Sequence, residues 1–308
     1  MSKFLGLDLG GTNIKVAVIE KADNTWKVIH EEDVPTQADK GPAHVVSRLA
    51  EIAAKKQKEF SDLSGVGVAV PGLFNADGTI ELFPNLPGDW PGFQALEPIR
   101  SATNLPTAII NDARAFTLGE AIMGAALGKK VVACLVIGTG VGGGVVIDGK
   151  IQLGANGAAG EIAHQIIKFD GPICGCGARG CAEPLTNSAA IATLAGTKTA
   201  EEAYKNAVAG DEKALAAFKE VAYWIAITLT NIMVVLAPDT IIIGGGVAQS
   251  GDILLNEIRS AMHERAHLFQ VRDINIVPAT LGFYAGSIGA ALYGAITAGA
   301  QLSLISTT

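Results

Sequence analysis

The sequence predicts an α/β protein with two domains. Strand-like and helix-like segments alternate along the 308 residues, which is the pattern of an α/β fold. Hydrophobic residues make up 49% of the chain, enough to fill a large core. A strand-turn-strand unit at residues 4–20 recurs at residues 131–150, and this duplication suggests two like domains that face each other across a cleft.

The smaller domain is expected at residues 1–110. It opens with a β-hairpin, in which apolar runs at residues 3–9 and 14–20 flank a turn of Gly10, Gly11 and Thr12. The further predicted elements are a strand at 26–34, a helix at 42–60, a buried strand at 65–70 and an ordered irregular loop at 83–93.

The larger domain is expected at residues 111–308. A strand at 107–111 leads to Asp112, which is the predicted N-cap of a helix at 113–127. Exposed N–H groups and the positive end of the helix dipole would hold a carboxylate there and keep it ionised. Asp112 is therefore a candidate for chemistry as well as for capping.

Composition and charge favour a cytoplasmic protein with a small ligand. The formal net charge is −7 and no run of lysines or arginines occurs, so nothing predicts binding to nucleic acid or to an anionic membrane. The N-terminus is too short and too polar for a signal peptide. The uncharged stretches at 221–237 and after Asp273 are expected as buried helices, and the second is a candidate to complete the smaller domain.

Three glycine-rich turns, each after an apolar strand, could hold phosphate groups through backbone N–H groups. They are residues 10–12, 138–143 and 244–246. One such turn is more often a tight hairpin, but three in one chain favour a nucleotide. The letters of 138–143 match a dinucleotide fingerprint and those of 144–150 a P-loop. Both matches are rejected, because a strand follows instead of a helix and Ile151 replaces the required Ser or Thr.

A cysteine-rich segment predicts a structural zinc site. His164, Cys174, Cys176 and Cys181 have the spacing His-x9-Cys-x-Cys-x4-Cys, which supplies the ligands of a closed tetrahedral site. Free or redox-active cysteines are the alternative, whereas disulfides are disfavoured without secretory signals. Cys134 lies in an apolar strand and is expected in the core.

Two carboxylates, Glu161 and Glu183, bracket this segment. Fixed carboxylates can accept hydrogen bonds from adjacent sugar hydroxyls. The alternative for each is a group that supports the metal loop or simply lies on the surface.

These residues resemble the ROK family of bacterial sugar kinases and related repressors, within the actin and hexokinase superfamily. The resemblance covers nearly the whole chain. It rests on DLGGT at 8–12, NDA at 111–113, the glycine turn at 138–144, GEIAH at 160–164 and CGCGARGCAE at 174–183. Ala163 replaces the glycine of the family's usual Glu-φ-Gly-His. Because the hairpin begins at Lys3, the chain has no room for the helix-turn-helix of the repressors, which favours a kinase.

The resemblance implies a two-domain, actin/hexokinase-like (ribonuclease H-like) fold with a cleft between a smaller N-terminal and a larger C-terminal domain. It also implies roles for single residues: Asp112 would be the catalytic base, and Asp8 would hold the Mg²⁺ of ATP through water. The implied hexose contacts are Gly72, Asn85, Asn111, Asp112, Glu161, His164 and Glu183. Gly10, Gly11, Thr12, Gly138, Thr139 and Gly140 would hold phosphates, and Gly245 and Gly246 would lie near the adenosine. His164 would bind zinc and the hexose through different ring nitrogens.

The expected reaction is transfer of the γ-phosphate of ATP to glucose by a homodimeric enzyme. The motifs leave open another hexose, such as N-acetylglucosamine, mannose or fructose, and polyphosphate as the donor. A sugar-sensing protein that binds hexose without turnover is the alternative outside the enzymes.

Overall fold

A computed structural model describes residues 2–23, 25–84, 86–155, 157–267 and 274–302 of the chain. The chain divides into two compact units, residues 1–128 with 281–308 and residues 129–280. The smaller domain was expected to end at residue 110. The division also assigns to the first unit the helix that follows Asn111 and the C-terminal helix.

The first unit contains a sheet with the strand order β3-β2-β1-β4-β7. Its strands, with the separate pair β5 and β6, are β1 (Ser2–Leu9), β2 (Asn13–Ala22), β3 (Thr25–Pro35), β4 (Leu63–Val70), β5 (Leu73–Phe74), β6 (Ile80–Leu82) and β7 (Thr107–Asn111). The predicted hairpin is confirmed, since β1 and β2 pair antiparallel. β4 runs parallel to β1 and to β7, so the carboxyl ends of all three strands meet at one edge of the sheet.

The two faces of this sheet pack against different helices. Leu5 and Leu7 are fully buried in one cluster with Val45 and Leu49 of α1 (Pro42–Glu59), which confirms the helix predicted at 42–60. α2 (Glu97–Thr103) packs beside α1. Side chains alternate along a strand, so Asp8 belongs to the opposite face from Leu7.

The next helix, α3 (Asp112–Ile122), begins one residue earlier than predicted. Asp112 was expected at the N-cap, and this expectation was wrong. The N-cap is Asn111, because its Oδ1 accepts hydrogen bonds from the backbone N–H groups of Ala113 at 3.1 Å and of Arg114 at 3.3 Å. Asp112 is the first residue of the helix itself.

The end of α3 is determined by Glu120, a carboxylate with no exposed surface. The predicted helix ran to Leu127, but α3 ends at Ile122. Glu120 Oε2 accepts a hydrogen bond from the backbone N–H of Ala125 at 2.9 Å. This N–H therefore does not donate to a carbonyl group of the helix. Glu120 Oε1 accepts the backbone N–H of Leu281 at 2.7 Å. One buried side chain thus anchors the chain near the points where it leaves the first unit and returns to it.

The second unit repeats the hairpin of the first. β8 (Val131–Ile137) and β9 (Val141–Ile147) pair antiparallel, as the duplication predicts. The sheet has the order β10-β9-β8-β11-β12, with β11 parallel to β8. The remaining elements are β10 (Lys150–Ile151), α4 (Glu183–Thr186), α5 (Ser188–Ala195), α6 (Ala200–Val208), α7 (Glu212–Leu236), β11 (Thr240–Gly244), α8 (Asp252–Arg265) and β12 (Asn275–Pro278).

The long helix α7 contains the buried helix predicted at 221–237. Val221, Ile225 and Leu229 are buried in the core of the second unit. By length and composition α7 could cross a membrane, and 44% of its most apolar 18-residue window is buried in the protein. A single such helix is weak evidence for a membrane span, because core helices pass the same test.

The C-terminal helix α9 (Ala285–Thr297) packs against β1, β4 and α3 of the first unit. A Cβ atom on Gly6 would collide with the carbonyl oxygen of Ser287, and one on Gly67 with that of Ala290. Only glycine allows such an approach, so the backbone of α9 lies directly on the sheet. The expectation of a close-packed, buried C-terminal helix is confirmed.

Candidate functional site

Asp112 lies at the carboxyl edge of the first sheet, where β7 passes into α3. Its Oδ1 accepts the backbone N–H of Ala113 at 2.8 Å, and the positive end of the α3 dipole favours a negative charge at this position. Ligands of open α/β sheets bind outside the carboxyl ends of the strands. The half-buried carboxylate of Asp112 is therefore held at the edge of the sheet where such folds bind ligands.

Asp8 is a second carboxylate at this edge. Part of its surface reaches solvent, but protein surrounds the rest. Burial, and after it the nearby charge of Asp112, raise the pKa of Asp8 from 3.8 to about 7, while Lys15 acts in the opposite direction. Lys15 stands directly opposite Asp8 on β2. Asp8 Oδ2 packs against Gly286, in the first turn of α9. A Cβ atom on residue 286 would collide with this oxygen, so the glycine makes room for the carboxylate.

The turn at 10–12 connects β1 to β2 at the same edge. Gly11 and Thr12 are exposed. The turn is held from behind by the buried residue Thr36, whose Oγ1 donates to Gly10 O at 2.7 Å and whose N–H donates to Thr12 O at 2.8 Å. These two hydrogen bonds support the turn on the side opposite its exposed residues.

Aromatic packing joins the described residues of the loop predicted at 83–93. Trp90 is buried, and its ring centroid lies 4.7 Å from that of Phe83 and 6.3 Å from that of Phe93. Gly72, at the end of β4, has a φ of 90° and packs on the carbonyl of Leu82.

The turn at 138–140 in the second unit connects β8 to β9. Thr139 and Gly140 are exposed, and the N–H of Gly138 donates to Gly140 O at 2.9 Å. Gly245, after β11, has a φ of 82° and lies against the backbone of Ile137, which immediately precedes this turn. The residues predicted for phosphate and for adenosine are therefore neighbours at one edge of the second sheet.

The four predicted metal ligands, His164, Cys174, Cys176 and Cys181, come together, with all ligand atoms within 4.8 Å of one another. Cys176 Sγ lies 3.8 Å from Cys181 Sγ, and Cys174 Sγ lies 3.5 Å from His164 Nδ1. Zinc with bonds to sulfur of about 2.3 Å in a tetrahedral site separates two sulfur atoms by about 3.8 Å. The cluster therefore fits zinc.

Burial raises the pKa of the Cys174 thiol to about 12 and also raises the pKa of Cys181. Metal binding at this cluster must therefore displace protons, and affinity for the metal must increase with pH. Cys134 is buried in β8, as predicted.

The two predicted carboxylates lie on different sides of His164. Glu161 Oε2 is 3.8 Å from His164 Nε2, whereas Glu183 Oε2 is 3.9 Å from His164 Nδ1. Glu161 is exposed, and its neighbour Nε2 points away from the cysteines. Nδ1 is thus available to a metal and Nε2 to another ligand.

The predicted site residues fall into two groups. The first unit contains Asp8, Gly10, Gly11, Thr12, Gly72, Asn111 and Asp112. The second contains Gly138, Thr139, Gly140, Glu161, His164, Glu183, Gly245, Gly246 and the three clustered cysteines. Asn85 lies outside the described residues. The sequence did not predict Lys15 or Thr36; the hairpin register could have indicated Lys15, but the contact of Thr36 has no local signal.

The family model described as the ROK family matches residues 4–295. The chain belongs to the ROK family. A solved ROK hexokinase from Thermus thermophilus is similar to it with a TM-score of 0.83 and 32% identity, over 96% of this chain and 98% of that chain. A ROK family glucokinase from Streptomyces griseus, solved with glucose and AMPPNP, has a TM-score of 0.78 and 28% identity over 95% and 99%.

The curated relatives in the ROK family are named for different functions. The glucokinase of Halalkalibacterium halodurans is 34% identical over 93% of each chain. The N-acetylgalactosamine kinase AgaK of Shewanella sp. is 31% identical over 94% of this chain and 96% of its own. The xylose repressor of Bacillus subtilis is 31% identical over 74% of this chain and 60% of the repressor. The expected family, two-domain fold and enzyme class, a sugar kinase, are confirmed.

Proposed function

We propose that this ROK protein transfers the γ-phosphate of ATP to the 6-hydroxyl of glucose, with Asp112 as the general base. The position of Asp112 carries the proposal, because its carboxylate is fixed by the N–H of Ala113 at the sheet edge that also holds Asp8 and the turn at 10–12. The glucokinase relatives, and the glucose bound to the neighbour from Streptomyces griseus, favour glucose as the acceptor.

The reaction does not require a strong general base. Phosphoryl transfer passes through a loose transition state, so alignment and charge neutralisation matter more than strong activation of the nucleophile. Asp112 orients the hydroxyl and takes its proton as the oxygen-phosphorus bond forms. The N–H groups of the turns at 10–12 and 138–140 hold phosphate oxygens, and Gly245 and Gly246 lie near the adenosine. Mg²⁺ bound with ATP would neutralise phosphate charge, and Asp8 would hold it through water.

The remaining predicted residues bind the hexose. The Oδ1 atom of Asn111 caps α3, and the side-chain NH₂ group of the same residue donates a hydrogen bond to a sugar hydroxyl. Glu161, Glu183 and the Nε2 atom of His164 supply further partners, as do Gly72 and Asn85. Zinc at the cysteine cluster stiffens this region and takes no part in the chemistry. We place the enzyme in the cytoplasm, as a homodimer.

A spectrophotometric assay of ADP release across a panel of sugars and donors tests the proposal. With ATP, glucose should give a higher kcat/KM than mannose, fructose or the N-acetylhexosamines. Asp112→Asn should lower kcat by at least 100-fold with KM for glucose nearly unchanged. Asp39→Asn is the control and should behave as wild type, because Asp39 is an exposed aspartate in the first turn of the short 3-10 helix Ala38–Lys40.

A kcat for Asp112→Asn within tenfold of wild type would contradict the assigned base. N-acetylgalactosamine or N-acetylmannosamine as the preferred sugar would contradict glucose, and similarity to AgaK makes this the second candidate. Faster turnover with polyphosphate than with ATP would contradict the donor.

A further inference from the structure

The exposed turn at 138–140 is held by the segment that directly follows the last cysteine of the metal cluster. Gly138 O accepts the backbone N–H of Ser188, the first residue of α5, at 2.9 Å. The N–H of Val141 donates to Glu183 Oε1 at 3.2 Å. Both ends of the turn are therefore tied to residues 183–188.

Glu183 also contacts the metal cluster through its other oxygen. Glu183 Oε2 accepts a hydrogen bond from Cys174 Sγ at 3.2 Å and lies 3.9 Å from His164 Nδ1. One carboxylate thus spans the distance between two candidate metal ligands and the backbone of the turn. Its side chain is only 23% exposed, so neighbouring groups restrict its orientation.

Gly140 allows this approach. A Cβ atom on Gly140 would lie 2.9 Å from Glu183 Oε1, which is closer than carbon and oxygen atoms normally approach. The absence of a side chain at Gly140 therefore leaves room for the Glu183 carboxylate beside the turn. Metal binding would take the proton that Cys174 donates to Glu183 Oε2. It would therefore change the contacts of the same carboxylate that accepts the N–H of Val141.

We propose that Glu183 is a positioning residue that couples the metal cluster to the turn at 138–140, so that metal occupancy controls affinity for the phosphates of the donor nucleotide. The inference rests on the proposed function, because it takes this turn as a phosphate site. It adds a role that hexose binding does not require, since a residue that only contacts the sugar would not affect nucleotide binding without sugar. Coupling between two ligands is reciprocal, so nucleotide must also strengthen metal binding.

The test measures both directions without sugar. Calorimetry gives the affinity of zinc-loaded protein for AMPPNP with excess Mg²⁺, before and after zinc removal. Transfer of zinc to a chromogenic chelator is then followed with and without AMPPNP. In wild type, we expect zinc removal to weaken AMPPNP binding about tenfold. AMPPNP should tighten zinc binding by the same factor, measured from the fraction of zinc transferred to the chelator at equilibrium. In Glu183→Ala, both effects should shrink to less than twofold.

Glu161→Gln is the matched variant, because Glu161 also lies beside His164 but on the side away from the cysteines. It should keep the full mutual effect of zinc and AMPPNP, whatever it does to sugar affinity. If zinc-free protein unfolds by circular dichroism, the zinc-transfer measurement still tests the coupling, since it starts from loaded protein.

The inference would be overturned if, in wild type, zinc removal did not change AMPPNP affinity and AMPPNP did not change zinc transfer. Full coupling in Glu183→Ala would also overturn it. Either result would leave the proposed function intact if AMPPNP still binds and glucose is still phosphorylated. Absence of AMPPNP binding by zinc-loaded wild type would overturn both.

Discussion

The carboxylates of Asp8 and Asp112 are close enough for the charge of one to affect the protonation of the other. After burial, Asp112 is the largest cause of the raised pKa of Asp8, about 7. Two neighbouring carboxylates resist simultaneous ionisation. A divalent cation relieves this repulsion, which is consistent with the proposed role of Asp8 in holding Mg²⁺.

This raised pKa makes stability depend on pH. The folded protein retains a proton on Asp8 that the unfolded chain loses between pH about 4 and about 7, so the unfolding free energy contributed by Asp8 falls as pH rises through this window. Asp8→Asn should remove this loss and be more stable than wild type at pH 8, by on the order of 2 kcal/mol. Urea denaturation without Mg²⁺ at pH 4 and pH 8 measures it. If the unfolding free energies of Asp8→Asn and wild type differed by the same amount at pH 4 and pH 8, the raised pKa of Asp8 would be contradicted.

Asn111 combines a structural contact with a proposed sugar contact, and two substitutions separate them. Asn111→Ala removes the cap of α3 and should lower the unfolding free energy by about 1 kcal/mol. Asn111→Asp keeps an acceptor for Ala113 and Arg114 but loses the N–H₂ donor. It should leave the melting temperature almost unchanged and raise KM for the sugar at least tenfold. A normal KM in Asn111→Asp would show that the sugar does not use this side chain.

Gly286→Ala should displace the carboxylate of Asp8, because the added methyl group would collide with Oδ2. We expect weaker Mg²⁺ dependence of nucleotide binding and a loss of stability of about 1 kcal/mol. In an Asp8→Ala background the same substitution should no longer destabilise the protein, since the colliding group is gone. A double-mutant cycle from urea denaturation measures this difference, and additive costs would contradict the contact.

The cysteine cluster should contain about one zinc ion per chain. Cys174→Ala and Cys181→Ala should each lose most of the metal and melt at lower temperature, because metal binding contributes to folding free energy. Cys134→Ala is the control for zinc content, since Cys134 is buried in β8 and is not part of the cluster. Elemental analysis and thermal melts of the purified proteins measure both quantities. Full zinc content in Cys181→Ala would refute the ligand set.

Local patterns in the sequence predicted most of the elements that carry the site. Both hairpins were predictable because a short glycine turn between two apolar runs allows few alternatives. The metal cluster was predictable because its ligands lie within one short segment of the chain. The strand at 107–111 was predicted with the bounds that the structure shows.

The remaining features depend on contacts between distant segments. Asn111 and Asp112 are both good capping residues, and only the path of the chain after β7 decides between them. Glu120 ends α3 early by bonding with Ala125, a choice that no helix propensity indicates. The raised pKa of Asp8 and the link from Glu183 to Val141 likewise depend on packing across more than forty residues.

The packing of α9 has a consequence for biosynthesis. A ribosome completes the strands of the first sheet long before it reaches Ala285, yet Gly6 and Gly67 of this sheet pack on the backbone of α9, which emerges later. The unit whose synthesis starts first can therefore finish folding only last, whereas residues 129–280 are available earlier as one continuous segment. In a nascent chain, the part of the sheet that α9 covers is therefore without this helix while the second unit is being made.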